Sequence, residues 1–94
     1  MSIGLLLLDC FMAESQSLKD KRRILTSLTE RLRRQFNVAI AEVEYQDQWQ
    51  RAQLAVVFVN TNWRMLQSSI SKLTGYVDRD RRVEVTNAET RRLC

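Results

Sequence analysis

Two strand-length runs of nearly unbroken apolar residues, IGLLLLDCFM at Ile3 to Met12 and QLAVVFV at Gln53 to Val59, constrain this chain more than any other feature. Neither run alternates with polar residues, so each needs cover on both faces, as strands at the centre of a sheet do. The opening stretch Ile3 to Leu8 has no basic region before it and is followed by Asp9. It is too short for a bilayer span or a signal peptide.

Between and after these runs the apolar spacing switches to a helical period. From Ser17 to Phe36, Leu18, Leu25, Leu28, Leu32 and Phe36 fall on one narrow stripe at 100° per residue, with Ser17 and Asp20 resembling a capping box. Asn37 is a plausible stop. Val38 to Tyr45 then predicts a strand, with Val38 and Ile40 on one face and Ala39, Ala41, Val43 and Tyr45 on the other; Glu42 and Glu44 interrupt the first face, which suits an edge. The polar stretch Asp47 to Gln50 predicts a hairpin connection. Asn60, Thr61 and Asn62 offer N-caps for a second helix built on Trp63, Leu66, Ile70, Leu73 and Val77. Gly75 and Asp78 to Arg81 mark its exit, and Val83 and Val85 alternate with Arg82, Glu84 and Thr86 in a last strand.

The order β-α-β-β-α-β with right-handed crossovers leads to a ferredoxin-like α+β fold, a four-stranded antiparallel sheet with two helices on one face. Its central strands are the first and third, where the two apolar runs lie. Ninety-four residues suffice for one such domain, residues 1–94, and not for two. The sheet's other face is uncovered in this arrangement, yet neither parity of the central strands is polar. A patch of that size points to self-association, as a homodimer or higher homo-oligomer, with Leu5, Leu7, Leu54, Val56 and Phe58 as the candidate oligomer face. Short twisted strands partly covered by long side chains are the plainer alternative.

The same residues limit the chemistry. There is no histidine and only two cysteines, Cys10 and Cys94, so neither a zinc site nor a histidine-based mechanism is expected, and no cofactor. A disulfide between the two is not expected either, which suits a reducing cytoplasm. Twelve of the fifteen cations are Arg, the residue whose planar fork matches phosphate, and the net charge is +4. On the first helix, Lys19, Arg22, Arg23, Arg33 and Arg34 share a sector about 120° wide opposite the apolar stripe. Such a face can follow a phosphate backbone; the bland alternative is a solvated face in which Glu30 pairs with Arg33 or Arg34. Lys21 differs, because it projects into the apolar stripe and must snorkel or pair with an acid such as Asp9 or Asp47. In the hairpin, Asp47, Trp49 and Arg51 are candidates for a partner contact, since Trp and Arg anchor interfaces; local packing of Trp49 and turn-capping by Asp47 are the alternative. Base stacking on the sheet is disfavoured, because only Phe11 and Phe58 could serve.

The segments SLKDKRR (Ser17 to Arg23) and FNVAIAEVEYQDQWQRA (Phe36 to Ala52), with the strand after them, resemble the YlxP-like family of small bacterial proteins, a domain of unknown function. The resemblance implies a ferredoxin-like fold, a cytoplasmic bacterial protein, and frequent encoding beside translation initiation factor two and ribosome-binding factor A. It supplies no activity or catalytic residue. The expectation is a non-enzymatic module that self-associates and touches ribosomal RNA or a ribosome-assembly partner through the basic helix, without membrane or metal. The alternative is a protein-interaction subunit with no nucleic-acid role. Acyl-phosphate hydrolysis, found on this topology, requires a glycine-rich phosphate loop after the first strand, and Ala13 to Gln16 contains no glycine.

Overall fold

Side-chain alternation along the first apolar run settles which residues meet the helices. In the computed structural model, which describes Met1–Cys94, β1 (Ser2–Phe11) buries Ser2, Gly4, Leu6, Leu8 and Cys10 and leaves Ile3, Leu5, Leu7 and Phe11 half-buried on the opposite face. Helix α1 (Leu18–Gln35) follows, then β2 (Val38–Glu44), β3 (Arg51–Asn60), α2 (Trp63–Asp78) and β4 (Glu84–Arg92). The sheet order is β2-β3-β1-β4 with every neighbouring pair antiparallel, so the fold is the ferredoxin-like α+β arrangement expected from the element order.

Local chemistry starts both helices. Ser17 Oγ accepts from the Asp20 N–H at 3.0 Å, and Asp20 Oδ2 accepts in turn from the Gln16 N–H at 3.0 Å, one residue outside the usual reciprocal pair. Of the three N-cap candidates before α2, Asn62 is the one used, its Oδ1 accepting from Met65 N–H at 3.2 Å. The apolar stripes then seal the sheet: Ile24, Leu25, Leu28 and Leu32 from α1, and Leu66, Ile70, Leu73 and Val77 from α2, join the β1 and β3 residues in a single core. Each such side chain contributes about 1.5–3 kcal/mol by leaving water. Helix α2 crosses β1 closely at Gly4, where a Cβ would lie 2.7 Å from a Leu66 methyl and 3.4 Å from the Trp63 ring.

Two expectations need correction. Leu54, Val56 and Phe58 do not belong to the open face: they are buried under the helices, and only Leu5 and Leu7 of that group lie on the uncovered side. The cause is register, because Leu5 stands opposite Val57 and Leu7 opposite Ala55, and directly opposed residues share a face. Helix α2 ends at Asp78, within the exit expected from Gly75 and Asp78 to Arg81, with Gly75 inside its last turn and Val77 in the core. The last strand extends well past Thr86, to Arg92, pairing along β1 as far as Gly4. Asn87 to Arg92 all stay exposed, even where Arg92 lies over Trp63 at the start of α2, and so leave no apolar alternation to read.

Candidate functional site: a basic helix face and an anchored hairpin

Two surfaces carry the candidate residues. On α1, Lys19, Arg22, Arg23, Arg33 and Arg34 are all exposed along about 22 Å of helix axis, with Arg22 and Arg33 on the flank that faces β2. None of them has a carboxylate within 4.0 Å. Glu30 therefore neutralises neither Arg33 nor Arg34, whose side chains bond main-chain carbonyls, Arg33 Nη2 to Ile40 at 3.1 Å and Arg34 Nε to Glu30 at 3.4 Å. Arg22 and Arg33 also line a groove between α1 and β2, with Thr26 and Thr29 between them.

Lys21, on the same helix, is spent differently. It is 1% exposed, and its Nζ donates to Glu42 Oε2 and the Tyr45 carbonyl at 2.8 Å, the Arg51 carbonyl at 3.2 Å and the Gln46 carbonyl at 3.3 Å. The acid is Glu42, not Asp9 or Asp47; Asp9 instead accepts from Gln53 Nε2 at 2.9 Å. A β-bulge makes this possible. The β2–β3 register shifts between Glu42 and Glu44, and Tyr45 turns the chain with a positive φ of 65°, gathering the carboxylate and the hairpin carbonyls around one ammonium. A buried ammonium demands full pairing, so Lys21 anchors the hairpin to α1.

The anchored hairpin displays the second surface. Its turn is closed by Gln48 N–H donating to the Tyr45 carbonyl at 3.0 Å, and Trp49 projects with 56% of its surface exposed. Arg51 lies over the Tyr45 ring at 3.9 Å, a cation–π contact. Asp47, Trp49 and Arg51 come together with Phe11, Gln48 and Gln50 around an open cleft of about 350 Å³. Phe11 is thus on the uncovered face and Phe58 in the core, so the sheet offers no pair of phenylalanines for stacking.

Two features escaped sequence reasoning. Asp80, in the turn after α2, has a side chain only 7% exposed and receives Arg31 Nη2 at 2.8 Å and Arg82 Nη2 at 2.7 Å, with further bonds from Arg82 Nε and the Arg82 N–H. The Arg82 bonds, and then Arg31, hold this carboxyl well below the usual range against the opposing effect of burial, while Asp80 raises Arg82. No local spacing links residue 31 to residue 80. The other feature is Cys10, whose thiol is pushed up to about 12 by burial and by neighbouring Asp9, and stays protonated and unreactive at neutral pH.

A small α+β domain of ferredoxin-like topology, presenting a row of unneutralised cations and a braced aromatic hairpin, is the class this geometry defines. Residues 3–90 match the family model described as a protein of unknown function (DUF503), and the chain belongs to that family. It is 30% identical over 88 residues to the uncharacterized protein YlxP of Bacillus subtilis (strain 168), a match covering 94% of this chain and 96% of that protein. No helix is long and apolar enough to cross a membrane.

Proposed function

We propose that this chain is a non-enzymatic, cytoplasmic module that binds RNA, ribosomal RNA or a ribosome-assembly intermediate in particular, through the outer face of α1. The observation that supports this reading is that five cations share one helix face with no acid paired to any of them. Cations intended only for solubility are usually interleaved with acids. Each phosphate neutralised releases a counterion, and for a single strand held by five contacts log K falls with log[salt] at a slope of about −3.5. The braced hairpin lies at the Lys21 end of this helix, where Trp49 and Arg51 supply a protein contact beside the RNA.

The test is co-sedimentation with ribosomes and salt-titrated binding to single-stranded RNA, comparing the native chain with Lys19→Glu, Arg22→Glu, Arg23→Glu combined. Loss of binding and a flatter salt slope are expected. Unchanged co-sedimentation and slope would overturn the reading.

A second reading rests on the apolar half of the open sheet face, where Ile3, Leu5 and Leu7 of β1 stand opposite Val59, Val57 and Ala55 of β3. Val59 is 57% exposed. That half buries against another protein surface, and the cations then serve solubility alone. Binding to a protein with no salt-dependent affinity for polyanions favours it.

A further inference from the structure

The two edges of the sheet are treated very differently. On β2 the edge is interrupted by the bulge at Glu42 and Glu44, and the Arg33 side chain occupies the Ile40 carbonyl. Both devices discourage another strand from pairing there. The β4 edge has no such protection between its own irregularities, one near Asp9 and Cys10 and one at Leu93 and Cys94, both of which contact Ile3.

Hydrogen-bond parity shows which β4 groups are free. Met12 N–H donates to Gln50 at 2.8 Å, so even-numbered residues of β1 bond toward β3; Leu93 N–H donates to Ile3 at 2.8 Å, so odd-numbered ones bond toward β4. Arg91 and Glu89, opposite Leu5 and Leu7, therefore direct their main-chain groups inward to β1. Ala88, Thr90 and Arg92 direct theirs outward, and no other main-chain bond reaches them. Their side chains lie on the helix side of the sheet, where Arg92 rests over the Trp63 ring at 4.6 Å.

We propose that β4 is the edge by which a second copy of this chain joins the sheet, antiparallel about a two-fold axis through Thr90, fusing the two four-stranded sheets into one. The inference depends on neither reading above. In this register Thr90 faces the partner's Thr90 and Ala88 faces the partner's Arg92, with about six main-chain hydrogen bonds formed by outward groups. Glu89 then stands directly opposite the partner's Arg91, and Arg91 opposite the partner's Glu89, in the closely spaced pairs of the ladder, where opposite charges favour pairing. Within one chain Arg91 already bonds Glu89 at 3.2 Å, so the two copies form a square of four charges of alternating sign on the open face. The small Ala88 side chain leaves the partner's Arg92 room to stay on its Trp63. Shifting the axis to Ala88 would set Glu89 against the partner's Asn87 and bring the bulge into the ladder, losing both advantages.

Sedimentation equilibrium and light scattering test this. The native chain is expected to show twice its 11.1 kDa mass at high concentration. Glu89→Arg alone and Arg91→Glu alone each weaken the dimer by at least about tenfold, since like charges then face each other twice per interface. Mixing the two variants restores it as a heterodimer, because every pair across the axis is again opposite in charge. Thr90→Pro removes an outward N–H that the lone subunit does not use, and abolishes association with an unchanged circular dichroism spectrum. A native chain that remains monomeric at about 1 mM, or variants that associate normally, or a mixture that fails to recover, overturns the proposal. A dimer that ignores Glu89→Arg and is broken by Leu5→Glu also overturns it, by placing the contact on the open face.

Discussion

Replacing Lys21 with Met keeps the length of the side chain and removes its charge, and the structure indicates the cost. The ammonium gives up four acceptors within 3.3 Å: one carboxylate oxygen and the carbonyls of Tyr45, Gln46 and Arg51. Hydrogen bonds to a charged group are each worth about 1.5–3 kcal/mol net, but Glu42 remains 26% exposed and rehydrates, and Met recovers part of the loss through apolar packing. The balance is a destabilisation of about 3 kcal/mol, a large part of the roughly 5–14 kcal/mol available to a domain of this size. At about 4–8 °C per kcal/mol, Tm falls on the order of 15–20 °C. Glu42→Gln retains an acceptor and costs about 1 kcal/mol; the double variant costs less than the sum, because the pair is counted once. Urea denaturation followed by circular dichroism measures all three, and hydrogen exchange shows where the effect falls. The hairpin amides from Gln46 to Arg51 should exchange faster in Lys21→Met while those of β1 follow global stability. A Lys21→Met protein within about 0.5 kcal/mol of the native chain, or hairpin amides that are unaffected, would refute the claim that this buried ammonium fixes the hairpin.

Two further expectations follow from the titratable groups. Asp80→Asn should cost about 1–2 kcal/mol, moderated because Arg31 and Arg82 are both partly exposed to solvent. Since the folded carboxyl is held below its unfolded value, its contribution is complete above about pH 4 and fades as pH falls from there, so the stability gap between native and Asp80→Asn chains should narrow in acid; a constant gap from pH 7 to pH 2 would contradict it. A disulfide-exchange reagent at pH 8 should titrate one thiol in the folded chain, the exposed Cys94, and a second only after denaturation, because Cys10 is buried with its thiol pushed up to about 12. Rapid modification of both would place Cys10 nearer to solvent than its packing allows.

Whatever depends on neighbours along the chain was legible in residue order alone. Apolar periodicity located five elements and the start of the sixth, Ser17 capped α1 as its hydroxyl allows, Asn60 to Asn62 bounded the start of α2, and the central position of β1 and β3 followed from their unbroken apolar runs. It also singled out Lys21 as a cation in the wrong place, and grouped the five outward cations of α1 on one face, since helical geometry is local. Everything set by register came from the packed sheet. Alternation sorts residues within one strand into two faces, but only the offset between strands shows that Leu5 and Leu7 share a face with Val57 and Ala55 rather than with Leu54, Val56 and Phe58. Glu42 became the partner of Lys21 through a bulge that no spacing announces, and Asp80 joined Arg31 from a turn 49 residues away. The second half of β4 was invisible for a related reason: periodicity records burial, and a stretch held to β1 mainly by its backbone, with Asn87 to Arg92 all exposed, writes no apolar pattern into the chain.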